Sequence, residues 1–232
     1  MRFRLAAVLL LLAVPFLIGQ KTSYKELRHR MVAEQLAPRD ITDERVLEAM
    51  RTVRRHEFMP EEVRDLAYVD SPVRIGYEQT ISQPYIVAFM TQALDLQPHH
   101  KLFELGTGSG YQAAVASLLV DEVFTVEIVP ALAERAAKDL ARLGHDNVHV
   151  REGDGWAGWP EEAPFDRIIV TAAAPELPEP LLEQLADGGR MIIPVGPAGG
   201  RQDLVLVWKT ASGEVKTRKV LPVRFVPVTG DH

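Results

Sequence analysis

The sequence predicts an α/β fold: a doubly wound, mostly parallel sheet, preceded by a helical extension and followed by an antiparallel hairpin. Three observations lead there. From Lys101 to Val195, short apolar runs alternate with stretches of helical periodicity, the order that gives parallel strands joined by crossover helices. The first of these runs stops at Gly106-Thr107-Gly108-Ser109-Gly110, and a helical pattern begins at once. Beyond Gly199-Gly200 the helical stretches cease, and Leu204–Trp208 and Val215–Val220 flank a Ser212-Gly213 turn in the manner of a hairpin.

The chain opens with Arg2 and Arg4 ahead of Leu5–Ile18, an apolar run interrupted by Pro15. A positive flank before a short apolar core reads as a signal peptide or N-terminal membrane anchor over residues 1–20, and the expectation is export. The run is short for a spanning helix, which needs about 20 apolar residues. Cleavage near Gly19-Gln20 is expected to be poor, because Leu17 stands where a small residue is preferred, and a buried helix is the plain alternative.

Residues 21–80 read as a helical extension packed over the later sheet. Ser23 and Glu26 have capping-box spacing, and Leu27, Met31, Val32 and Leu36 follow at helical intervals up to Pro38. A second helix after Thr42-Asp43 carries Val46, Leu47, Met50 and Val53, and residues 61–68 suggest a short third. Residues 71–83 are extended and turn-rich, and Pro84 opens a helix through Leu94.

Residues 81–232 form the main domain. Its strands are expected at residues 102–105, 122–128, 147–151, 165–170 and 191–195. Pro130 starts a helix closed by Gly144, and another over residues 178–186 is ended by Gly188-Gly189. Val223–Val228 adds one more extended segment.

Composition narrows the function. A chain of 232 residues accommodates one such domain with an appendage. A formal net charge of −6 argues against a nucleic-acid partner. The absence of cysteine excludes disulfides, thiolate metal sites and a cysteine nucleophile, and no metal is expected.

In a doubly wound sheet, ligands bind at the carboxyl edge where the strand order reverses. That nominates Glu104–Gly110, Glu127, Asp154-Gly155 and Thr171–Pro175. A dinucleotide fingerprint from Gly106 would need glycine at 111, where Tyr stands. Glu104 followed by Gly106-x-Gly108-x-Gly110 is instead the pattern of S-adenosyl-L-methionine-dependent methyltransferases, the plain alternative being a tight turn without ligand. On that reading Glu104, Gly106, Thr107, Gly108 and Gly110 bind the cofactor.

Glu127 follows Gly106 by 21 positions, close to the spacing at which a carboxylate meets ribose hydroxyls. Its alternative is an acid favoured at a helix start. Asp154, with Gly155, is placed to meet the adenine amino group, or else makes an Asp-Gly turn. The seven histidines are scattered and offer no general base. A carboxylate acceptor would need none, since with a pKa of about 4 it is already ionised.

Thr80-Ile81-Ser82-Gln83-Pro84-Tyr85, Glu104–Gln112, Gly153-Asp154-Gly155 and Arg224-Phe225-Val226-Pro227-Val228 together resemble the protein-L-isoaspartate (D-aspartate) O-methyltransferase family, over residues 25–229. The resemblance implies a Rossmann-like methyltransferase fold. It also implies methyl transfer to the α-carboxylate of L-isoaspartyl and D-aspartyl residues in damaged proteins, the ester then closing to a succinimide. It implies further that Ser82, otherwise a simple helix-start residue, donates its hydroxyl to the acceptor carboxylate, and that Ile81, Val226 and Thr229 bind substrate. The partners implied are isoaspartyl-containing proteins and peptides, met by a monomer that touches membrane only through an uncleaved leader. The leader departs from the family, most of whose members look cytosolic. A small-molecule methyltransferase and a non-catalytic cofactor- or peptide-binding domain are the competing readings.

Overall fold

The computed structural model describes residues 22–230, so the leader expected over residues 1–20 lies outside the described residues. Helix α1 (Tyr24–Arg30) begins with the expected capping box. Ser23 Oγ accepts the Glu26 amide at 3.2 Å, and Glu26 Oε2 accepts the Ser23 amide at 2.8 Å. The helix continues as a π-helical stretch, Met31–Leu36, in which Met31, Val32 and Leu36 are fully buried. Helix α2 (Glu44–Thr52) is capped by Asp43, which accepts the Arg45 amide at 2.9 Å.

The extension does not lie on the sheet itself. Met31, Leu36, Val46 and Met50 share a core with Val87, Ala114, Leu132 and Leu140, residues of the helices that already cover that face of the sheet. The stretch read only as extended is a small antiparallel pair, β1 (Val73–Gly76) and β2 (Gln79–Ile81). Its turn places Tyr77 and Glu78 at φ 51° and 59°. Helix α3 (Pro84–Ala93) follows, with Pro84 in the first turn as expected.

The main sheet comprises β3 (Lys101–Leu105), β4 (Glu122–Glu127), β5 (Val148–Glu152), β6 (Phe165–Val170), β7 (Leu185–Val195), β8 (Gln202–Lys209) and β9 (Val215–Val223). They are ordered β5-β4-β3-β6-β7-β8-β9. The pairs from β5 through β7 are parallel, and β7-β8-β9 is antiparallel. Helices α4 (Tyr111–Ser117), α5 (Pro130–Leu143) and α6 (Glu179–Gln184) intervene. Gly144 closes α5 in the left-handed conformation, as expected.

One boundary differs from expectation. Gly188 and Gly189 do not end a helix but lie inside the irregular first half of β7. Leu185 turns extended at the end of α6 and pairs at once with Phe165, so strand pairing takes over where helical spacing seemed to continue.

Period-two alternation divides the sheet residues between two cores. Phe103, Leu105, Phe124, Val126 and Val170 pack on one side, while Leu102, Val123 and Ile169 pack on the other against Met90, Leu94, Ala113 and Ala116. The chain goes from β3 to β4 and β5 on one side, then crosses to β6 on the other. The order therefore reverses at β3, and its carboxyl end is where a cleft must open.

Candidate active site

A cleft of about 550 Å³ of non-atom space, its open mouth included, lies at that reversal. Gly106, Gly108, Glu127, Gly155 and Thr171 line it, and so do Thr80 of β2 and Val226–Thr229. The loop after β3 is fastened from below, since the Gly106 and Thr107 amides both donate to the Val126 carbonyl, at 2.9 and 3.2 Å. Glycine is required at 106. Its φ is +93°, and a Cβ there would stand 2.5 Å from Thr171 Oγ1. At Gly108 a Cβ would meet nothing nearer than 4.0 Å, so an added side chain would enter the open cleft that the bare backbone leaves free.

Glu127 is 5% exposed and bridges three segments. Its Oε2 accepts the Gly108 amide at 2.7 Å, and its Oε1 accepts the Val129 amide, just ahead of α5, at 2.9 Å. The carboxylate thus holds the glycine loop while still facing the cleft. Asp154 accepts the Trp156 amide at 2.9 Å and caps the short turn that begins at Gly155, so the turn expected for the Asp-Gly pair is present. Gly155, rather than Asp154, lines the cleft.

Glu104 does not line the cleft. It is fully buried, because alternation along β3 turns Leu105 toward the cleft and Glu104 to the other side. Its Oε2 accepts the Thr125 hydroxyl at 2.6 Å, and Thr107 donates in turn to Thr125 at 2.7 Å. Burial pushes its pKa up to about 8, against the lowering effect of the Thr125 hydroxyl. Glu104, expected to bind the cofactor, is instead a buried carboxyl tied to Thr107 through the Thr125 hydroxyl.

Ser82 lies between β2 and α3, in a narrow recess shared with Thr80, Ile81 and Gly106–Ser109. The same Ser82 lines an outer cleft with Thr80, Ile86, Arg201, Arg224 and Phe225. Its position joins the glycine loop to the outside. It does not cap α3. Asp70 does so, accepting the Tyr85 amide at 2.9 Å and the Gln83 side-chain amide at 2.8 Å. The Ser82 hydroxyl makes no hydrogen bond to another described residue.

The wall at residues 226–228 is pinned to the end of β6: the Ala173 amide donates to the Val226 carbonyl at 2.7 Å, and the Val228 amide to the Ala173 carbonyl at 2.8 Å. Of the residues expected to meet substrate, Val226 and Thr229 line the inner cleft and Ile81 the recess beside Ser82. Thr171, nominated as the end of its strand, lines the cleft and donates to the Gly106 carbonyl at 2.6 Å. Gln79 and Thr80 belong to a hairpin that alternation was too short to reveal.

These residues suit an adenosyl amino-acid ligand. Bare backbone at Gly106 and Gly108 allows close approach, Glu127 offers an acceptor for sugar hydroxyls, and Leu105, Val126, Ile128 and Ala172 give an apolar wall for a flat base. Among the described residues no cluster is suited to hold a metal ion, and no helix is long and apolar enough to cross a membrane.

Comparison with known proteins agrees. The family model described as Protein-L-isoaspartate(D-aspartate) O-methyltransferase matches residues 26–232. A protein-L-isoaspartate O-methyltransferase of Opitutus terrae is 54% identical over 228 residues, covering 98% of this chain and 97% of the relative. A second, from Syntrophobacter fumaroxidans, is 57% identical over 190 residues, covering 82% of this chain and 77% of the relative. A solved structure of a protein-L-isoaspartate O-methyltransferase superposes with a TM-score of 0.78 at 29% identity, covering 89% of this chain and 66% of the other. A putative one from Plasmodium falciparum, in complex with S-adenosyl-L-homocysteine, gives 0.73 at 27% identity, covering 87% and 98%. With the glycine loop, the Ser82 recess and the C-terminal wall all in place, this chain belongs to the protein-L-isoaspartate(D-aspartate) O-methyltransferase family.

Proposed function

We infer that this chain transfers a methyl group from S-adenosyl-L-methionine to the α-carboxylate of L-isoaspartyl and D-aspartyl residues in damaged proteins. Family membership over residues 26–232 supports the reaction, and the placement of Ser82 between the two clefts is the structural observation that carries it. When bound, the cofactor supplies an electrophilic methyl on a sulfonium centre. The residues of the chain have three tasks: to orient the acceptor, to exclude water, and to leave the acceptor ionised.

Ser82 donates its free hydroxyl to one oxygen of the acceptor carboxylate, leaving the other to attack in line. Ile81 and Val226 flank that position with apolar surface that excludes water. No proton has to be removed from the acceptor, which accounts for a site without a histidine. Gly106, Thr107, Gly108 and Gly110 supply the backbone of the cofactor cradle, Glu127 accepts from ribose, and Gly155, held in the turn that Asp154 caps, borders the adenine. Glu104 acts from beneath, through Thr125 and Thr107. Thr229, exposed at the mouth, meets the substrate backbone.

The deciding measurement is methyl release from an isoaspartyl peptide beside its aspartyl twin. Turnover of the first alone is expected. Turnover of neither, with the cofactor bound, would leave a binding domain, and turnover of a small molecule instead would leave an enzyme of another class. We further propose that residues 1–20 direct export, on the strength of Arg2, Arg4 and Leu5–Ile18. Fractionation of the native host should then find the chain outside the cytosol, and full-length protein free in the cytosol would overturn that.

A further inference from the structure

The outer cleft beside Ser82 encloses about 1080 Å³ of non-atom space, its open mouth included. Two arginines, Arg201 and Arg224, line it, and no carboxylate does. This is notable in a chain whose formal net charge is −6. Both arginines are exposed, and neither makes an ion pair or side-chain hydrogen bond with another described residue. The charge of Arg201 reaches Asp203, but that carboxylate is already bonded to Lys219 at 2.7 Å.

The two arginines are held close by the fold. Gln202 of β8 pairs with Val223 of β9, so continuing that antiparallel register sets 201 across from 224. The same frame is cross-braced: Gln202, 1% exposed, accepts the Phe225 amide at 2.9 Å and donates to the Pro197 carbonyl at 2.9 Å. Like charges set opposite one another on adjacent strands repel. An anion between them would turn that repulsion into attraction, and a guanidinium is suited to grip a carboxylate.

We propose that Arg201 and Arg224 form a carboxylate subsite that takes the side chain of an aspartate or glutamate flanking the isoaspartyl residue of the substrate. The enzyme thereby favours damaged segments of acidic sequence. The inference rests on the methyl-transfer reading above and adds to it which isoaspartyl segments are preferred. The pair acts on substrate selection and leaves the reacting atoms to Ser82.

The test uses the full chain and C-terminally amidated peptides, each with one isoaspartyl residue and a Glu or a Gln at one of the two positions on either side. Amidation removes the terminal carboxylate as a competing anion. For at least one position, kcat/KM for Glu should exceed that for Gln by about threefold to tenfold at low ionic strength, the range open to two exposed ion pairs. The ratio should fall toward one in high salt. Arg201→Glu and Arg224→Glu should reverse it in favour of a Lys peptide, and Arg201→Lys should keep much of it. Turnover of the Gln peptides reports that each variant is folded. A Glu-to-Gln ratio of one at every position overturns the subsite alone, as does a ratio that survives both charge reversals. Failure of wild-type protein to methylate any of the peptides overturns the reaction itself.

Discussion

Glu127 accepts the amide of Gly108 at 2.7 Å, so the acid that ends β4 and the middle glycine of the loop after β3 move as one unit. Glu127→Ala removes the carboxylate proposed to accept from ribose and the tie that shapes the loop. Hydrogen bonds to a charged group contribute roughly 1.5–3 kcal/mol, or about ten- to a hundredfold in affinity. Calorimetry should find S-adenosylmethionine and S-adenosylhomocysteine weakened alike, since both carry the same ribose. Equal affinities before and after the change would reduce Glu127 to a brace for the Gly108 and Val129 amides.

Ser82→Ala should slow turnover on an isoaspartyl peptide by roughly ten- to a hundredfold, the worth of one donor to a charged oxygen. Cofactor affinity and thermal stability should stay near wild type, because the hydroxyl has no partner among the described residues and Asp70 performs the capping. An unchanged rate would reject the role.

Asp70 carries a different prediction. It accepts from the Tyr85 amide and the Gln83 side chain and pairs with Arg39 at 3.1 Å, joining the extension to the start of α3. Asp70→Ala should lower stability by about 1–2 kcal/mol, as loss of a helix cap does. It should also lower turnover, because Ser82 stands two residues ahead of Pro84, where that helix begins. Thermal melting and peptide kinetics on one preparation test both. A fall in stability with turnover intact would mean that the position of Ser82 does not depend on the cap.

Glu104 makes the alkaline side informative. Folded, its carboxyl keeps a proton up to pH about 8, whereas its ordinary pKa is 4.5. Across that interval the unfolded chain has released a proton that the native chain retains, so stability declines as pH rises. The contribution is complete below about 4.5 and gone once pH has passed about 8. Glu104→Gln cannot ionise, so its urea-unfolding free energy should fall less between mildly acidic and mildly alkaline buffer. Parallel pH profiles for the two proteins would mean that Glu104 is already charged when buried.

Much of this was legible in the sequence because local chemistry and global fold agree. Gly106-x-Gly108-x-Gly110 fixed the loop, Pro130 and Gly144 bounded α5, and the spacing to Glu127 placed it in the cleft. The sequence misled where one residue type serves two geometries. An acid before a glycine loop can face the ligand or lie beneath it, and only strand alternation turned Glu104 under. Gly188-Gly189 can stop a helix or loosen a strand, and pairing of Leu185 with Phe165 decided it. The hairpin β1–β2 offered too few residues for alternation to register, although it contributes Gln79 and Thr80 to the cleft.

The wall formed by Val226–Val228 owes its position to Ala173, three strands back in chain order. A ribosome releases the glycine loop, Glu127 and Thr171 long before it releases that wall. A growing chain can therefore complete its cradle and still have an open side, exposed to water where the methyl would be handed over. The chamber is complete only once synthesis has passed Val228, whose amide fastens the wall to the Ala173 carbonyl.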